Sequence, residues 1–142
     1  MTTSLDDPAV RSFLETGTRT GKLAFLSTSG RALVTPIWFI LDGDEIIFNT
    51  ARTTAKGRSI LRDPRVTLVV DLEEMPYGFV QIQGEATVSE DPDELLDSAT
   101  RIAARYVGPD RADEYGRRNG VPGELLVRIR PTKVTAELNV TA

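Results

Sequence analysis

The chain has 142 residues, 40% of them hydrophobic, with a formal net charge of -4. That is one domain, residues 1–142, with enough apolar chain for a single core and no excess of positive charge to spread over nucleic acid. Cysteine and histidine are both absent, which excludes disulfides, thiol chemistry, Ser-His or Cys-His nucleophile pairs and zinc sites of the usual kind.

The start, Met-Thr-Thr-Ser-Leu-Asp-Asp, is polar and acidic, unlike a secretory signal, and predicts a cytoplasmic protein. Asp7-Pro8 reads as an N-cap and first helical residue, with Val10, Phe13 and Leu14 as an apolar stripe ending at Gly17. A strand follows from Lys22 to Thr28, then a Ser29-Gly30 turn, then a long strand from Arg31 to Leu41. This longest near-apolar run is about half what a membrane helix needs. Both of its faces are largely apolar: Leu33, Thr35, Ile37, Phe39 and Leu41 on one side, Val34, Pro36, Trp38 and Ile40 on the other. A small barrel must cover the outer side of such a strand with a helix of its own, a partner subunit or a ring-shaped cofactor. Pro36 points to a sheet edge or a bulge.

Asp42-Gly43 is a hairpin turn into a strand from Glu45 to Asn49. A short helical segment then runs to about Leu61. Residues 49–65 hold five cations (Arg52, Lys56, Arg58, Arg62, Arg65) against one acid, Asp63. Thr50, Thr53 and Thr54, free amides at a helix start, and Lys56 with Arg58 are groups suited to holding a phosphate. The same residues would also serve as a threonine-capped surface helix with solvated cations.

After Asp63-Pro64 come strands from Arg65 to Leu72 and from Phe79 to about Ser89. The second of these carries Phe79, Gln81, Gln83, Glu85 and Thr87 on one face. Between Val66 and Thr100 there are nine acids and no Lys or Arg, so the basic groups before Val66 suit a small anionic ligand rather than a nucleic acid. Asp91-Pro92 with Glu94 starts a second main helix, with Leu95, Ala99, Ile102, Ala103 and Tyr106 at helical spacing. A polar segment from Gly108 to Gly120 precedes two closing strands, Glu124 to Arg130 and Lys133 to Leu138. About seven strands, two main helices and no strict βα alternation predict a mainly β (α+β) fold, an antiparallel barrel with attached helices.

The order of elements, with Thr35-Pro36-Ile37-Trp38, Asn49-Thr50-Ala51 and Lys56-Gly57-Arg58-Ser59-Ile60-Leu61-Arg62-Asp63-Pro64-Arg65-Val66, resembles the pyridoxamine-phosphate-oxidase-like split barrels. Within them the chain is most similar to the actinobacterial group that uses the deazaflavin coenzyme F420. The resemblance implies a homodimer of split barrels with two cofactor sites at the subunit interface. Thr35, Pro36, Ile37 and Trp38 would line the ring, and Asn49 and Thr50 would sit beside the ribityl chain. Thr54, Lys56, Gly57 and Arg58 would meet the phosphate, while Phe79 and Gln81 would come from the second subunit. Arg11, Arg19, Lys22 and Arg52 are candidates for a polyglutamate tail. The implied activity is hydride transfer from reduced F420 to a small electron-poor acceptor, with no metal, no membrane and no protein acid required. Tyr77, Tyr106 and Tyr115 are candidate proton donors. Two other readings of the same fold stand beside it, an FMN-binding oxidase or flavoprotein and a non-catalytic carrier. The cofactor would bring the reactivity that a chain without His and Cys lacks.

Overall fold

The computed structural model describes residues 1–142. The chain runs β1 (Thr2–Thr3), α1 (Pro8–Glu15), β2 (Gly21–Leu26), β3 (Ala32–Ile37), β4 (Ile40–Asp42), β5 (Glu45–Ala51) and α2 (Ala55–Arg62). It continues through β6 (Arg65–Asp71), β7 (Phe79–Ser89), α3 (Pro92–Tyr106), a 3₁₀ turn at Pro109–Arg111, α4 (Ala112–Asn119) and β8 (Glu124–Glu137). All strands pair antiparallel in the order β3-β2-β6-β7-β8-β5-β4, with β1 beside β8. The mainly β, α+β expectation holds, with eight strands and four α-helices in place of seven and two.

The caps are where the sequence puts them. Asp7 accepts from the Ala9 amide, Asp91 from Glu94, and Thr54 from Gly57, each meeting a helix-start donor that has no intrahelical partner. The hairpin at Gly43 turns through a left-handed φ of 62°, which glycine adopts without a Cβ penalty.

Four expectations need correction. The single strand from Arg31 to Leu41 is broken at Trp38-Phe39 into β3 and β4, which lie at opposite ends of the sheet path. The inward alternation of Ile37, Phe39 and Leu41 runs across the break, so periodicity alone does not reveal it. The two closing strands are one, of 14 residues, because a bulge absorbs Pro131: Gly84 pairs with Pro131 and Gln83 with Lys133, leaving Thr132 extra. The polar stretch from Gly108 to Gly120 contains α4, whose buried positions are Ala112 and Gly116. A Cβ at Gly116 would lie 2.0 Å from the Thr100 hydroxyl, so the contact demands a small residue and leaves no hydrophobic stripe to read. Finally, β1 is two residues long and has no pattern of its own.

One cluster of 20 buried side chains, centred on Leu23, Phe39, Phe48, Leu68, Ile82 and Ile129, fills the barrel. A smaller group, Ile47, Leu95 and Leu126, joins the outer side of β5 and β8 to α3. No helix is long and apolar enough to cross a membrane.

On the β4 side, Asp42 holds Arg128 at 2.7 Å and Arg101 at 3.2 Å. The Arg128 hydrogen bond is the main cause of a carboxyl pKa below its usual value. A lowered folded-state pKa stabilises the fold above the ordinary carboxylate range, and this contribution is lost as pH falls through the lowered value. Asp42→Asn should therefore lose less stability than the wild type between neutral pH and about pH 3, read from denaturation midpoints across the range. Equal losses in the two proteins would remove Asp42 from the acid response.

Candidate cofactor cleft

The break between β3 and β4 leaves the Trp38 indole 40% exposed beside α3. It is held from behind. The Tyr106 ring stacks on it at 5.2 Å with an interplanar angle of 2°. The Tyr106 hydroxyl accepts from the Phe39 amide at 3.2 Å and donates to the Arg19 carbonyl at 2.9 Å. Burial pushes the Tyr106 hydroxyl pKa up. Arg105, next on α3, donates to the carbonyls of Leu14 (2.7 Å), Phe39 (2.8 Å) and Gly17 (2.9 Å) and lies over the Phe39 ring. The outer face of Trp38 is thus covered in part by the chain's own helix.

In front of Trp38 is a cleft of about 290 Å³. Pro36, Ile37 and Trp38 form one wall, while Ala99, Ile102 and Ala103 of α3 form the apolar wall opposite. Asn49 of β5, Lys56 of α2, Asn119 of α4 and Glu124 at the start of β8 complete the lining. Asn49 is oriented by donating to the Ser98 hydroxyl at 3.0 Å, which in turn donates to the Leu95 carbonyl at 3.1 Å.

The start of α2 is built tightly. The Thr54 hydroxyl accepts from the Gly57 amide at 3.0 Å, contacts the Thr50 hydroxyl at 2.8 Å and lies 2.9 Å from the Ala51 carbonyl. Both threonine hydroxyls are therefore engaged within the turn. A Cβ at Gly57 would stand 2.3 Å from the Ala51 oxygen, so only glycine lets α2 approach the end of β5 this closely. The first two amides of the helix, at Ala55 and Lys56, donate to no backbone carbonyl.

The five cations of this segment do not act together. Arg52 pairs with Glu90 at 2.5 Å, and Arg58 donates to the Thr53 carbonyl. Arg62 donates to the Leu26 carbonyl at 2.9 Å, and Arg65 pairs with Asp63 at 2.8 Å. Lys56 alone faces the cleft.

Of the residues singled out from the sequence, Pro36, Ile37, Trp38, Asn49 and Lys56 are brought together. Gly57, Thr50 and Thr54 lie behind them as scaffold, and Arg58 is exposed outside the lining. Thr35 has its hydroxyl buried with no hydrogen-bond partner. Phe79 and Gln81 are elsewhere. Gln81 pairs with Val69, Val69 with Lys22 and Lys22 with Pro36, so within one chain Gln81 is three strand spacings, about 14 Å, from Pro36. Phe79 borders a separate open depression with Lys22, Val69 and Tyr77. Three of the tail candidates are also committed: Arg11 to the Gly43 carbonyl, Arg19 to the Phe13 carbonyl and Lys22 to Asp71. Tyr106 has its hydroxyl engaged as both donor and acceptor.

Glu124 escaped the sequence reading, because an acid opening a strand looks like any solvated residue. In the fold, burial pushes its carboxyl pKa up and the charge of Lys56 pulls it back.

An eight-stranded antiparallel split barrel with a cleft at its seam defines the class of this protein. The chain belongs to the pyridoxamine 5'-phosphate oxidase family, whose model matches residues 6–137. The family includes oxidoreductases. A conserved hypothetical protein of Mycobacterium tuberculosis shares the fold at a TM-score of 0.81 and 22% identity, over 95% of this chain and 85% of that one. A structure described as an F420 reductase matches at 0.69 and 26% identity, over 88% of this chain and 94% of that one. A Listeria innocua protein described as a pyridoxamine 5'-phosphate oxidase matches at 0.69 and 16%, over 94% and 98% respectively. No curated protein matches the chain.

Proposed function

We propose that this chain is an oxidoreductase that binds F420 in the Trp38–Lys56 cleft and directs hydride from it to a small electron-poor organic acceptor. FMN in the same cleft is the alternative. The observation that carries this reading is the pairing of a half-exposed, back-stacked indole with a cleft-facing lysine that has no ion-pair partner. The donor set fits a ring joined to a phosphate: a flat apolar wall for the ring, then Lys56 and two free helix-start amides for an anion. The 26% identity to an F420 reductase across most of both chains supports the choice of deazaflavin.

Reduced F420, when bound, would supply the hydride. The chain's residues supply position and dryness. Tyr106 and Arg105 fix the wall on which the ring rests, Ala99, Ile102 and Ala103 keep water from the opposite side, and Lys56 anchors the charged end. Trp38 is the only tryptophan, so its emission reports the cleft directly. Titration with F420 or FMN should quench Trp38 to saturation, and bound reduced F420 should then be oxidised faster when quinones, nitroaromatics or unsaturated lactones are added under air. No quenching by either ligand overturns the cofactor assignment; binding without turnover leaves a carrier.

The proposal includes a homodimer. The outer face of β3-β2-β6-β7 presents Val34, Pro36, Ala24, Val69 and Phe79, with Val34 63% exposed. Gln81 lies on this face, and a second copy seated there would bring its Phe79 and Gln81 toward the first copy's cleft. Light scattering at micromolar concentration should give twice 15.6 kDa. A mass of 15.6 kDa would leave each cleft to a single chain.

A further inference from the structure

The basic segment brings less positive charge to the cleft than its composition suggests. Four of its cations are committed to Glu90, Asp63 and the carbonyls of Thr53 and Leu26. The lining then contains one cation, Lys56, and one carboxylate, Glu124, with Asn49 and Asn119 as neutral polar groups. Glu124 makes no ion pair and no side-chain hydrogen bond, so its charge is not neutralised by a direct contact. Lys56 and Glu124 line the same cleft, where burial pushes the Glu124 carboxyl pKa up and the charge of Lys56 pulls it part of the way back.

We propose that Glu124 sets the charge preference of the cleft, favouring a ligand whose phosphate is a diester over one whose phosphate is a terminal monoester. A monoester carries about 1.5 to 2 negative charges at neutral pH, whereas a diester carries one. The Glu124 carboxylate offsets part of the attraction of Lys56 and repels a monoester up to twice as strongly as a diester, in a partly desolvated space where like charges repel more strongly than in water. This inference rests on the cleft being the cofactor site and selects between its two candidates. At the phosphate itself F420 is a diester to the lactyl unit, with its carboxylates farther along the tail, while FMN ends in a monoester.

The test measures dissociation constants of the full chain and of Glu124→Gln by Trp38 quenching at pH 7.5. The wild type should prefer F420. Glu124→Gln should tighten FMN by roughly three- to tenfold and F420 by about two- to threefold, because the removed carboxylate repels a monoester with up to twice the charge of a diester. A second neutral variant, Glu124→Thr, separates loss of charge from any hydrogen bond the glutamine forms and should give the same narrowing. Equal tightening of both ligands, or weaker FMN binding, overturns the proposal. Phenyl phosphate and methyl phenyl phosphate, which share a ring and differ in phosphate charge, are titrated in parallel. If neither F420 nor FMN binds the wild type, the cofactor assignment fails by itself. The phenyl pair then decides the charge preference: a monoester penalty lost in Glu124→Gln supports it, and an unchanged ratio overturns it.

Discussion

Replacement of Arg105 by methionine should lower the unfolding free energy by about 1.5–3 kcal/mol, the usual worth of hydrogen bonding by a charged group whose partners are neutral carbonyls. The guanidinium satisfies the Leu14, Gly17 and Phe39 carbonyls, which come from the end of α1, the loop after it and the β3–β4 break. The Tyr106 hydroxyl also ties α3 to the loop and to the break, but Arg105 alone reaches the end of α1. Burial lowers the Arg105 pKa, a sign that the group has given up part of its hydration for these contacts. Methionine keeps an aliphatic stem but removes the guanidinium from over the Phe39 and Tyr106 rings, so the loss combines the three hydrogen bonds with those cation–π contacts. Urea denaturation should show a lower midpoint with an unchanged slope. Arg105→Lys, which keeps the charge but not the planar fork, should fall between the two. A methionine variant within about 1 kcal/mol of the wild type would mean that water satisfies the three carbonyls equally well.

Loss of Lys56 should have the largest effect on ligand binding. Lys56→Ala should weaken F420 or FMN by about 1.5–3 kcal/mol, a rise in dissociation constant of roughly tenfold to a hundredfold. Arg62→Ala and Arg65→Ala should change it by less than about twofold, since those side chains are held by Leu26 and Asp63 away from the lining. Arg58→Ala should fall between, because Arg58 is at the helix start but turned to the Thr53 carbonyl. Equal losses at all four positions would show that the segment acts only as a diffuse positive field.

Local chemistry made much of this fold legible. Asp7, Asp91 and Thr54 each cap a helix because a short polar side chain before an apolar stripe has one favourable use. The strands from Arg65 and Phe79 follow from alternation between a packed and an open face. What escaped depends on partners distant in sequence. Trp38 and Phe39 leave the sheet because β2 and β5 claim the two halves of their segment. Pro131 stays inside a strand because β7 tolerates an extra residue opposite Gln83 and Gly84. The candidate site divides along the same line. Lys56 follows from residue type, and Pro36, Trp38 and Asn49 from the family resemblance, whereas the diversion of the neighbouring arginines and the inward place of Glu124 required the assembled barrel.

The discontinuity at Trp38-Phe39 has a mechanical consequence. Since β3 and β4 end the sheet path and are joined by two residues, the barrel is completed at that point by covalent chain and side chains instead of a strand ladder. Separation of the two edges breaks the Phe39 bonds to Tyr106 and Arg105 but no interstrand hydrogen bond. At the wall of the cleft the barrel is therefore held by the side chains of Tyr106 and Arg105 in place of a strand ladder. A ligand seated against Trp38 thus bears on side-chain bonds alone, and the closure of the barrel and its candidate binding surface are the same few residues.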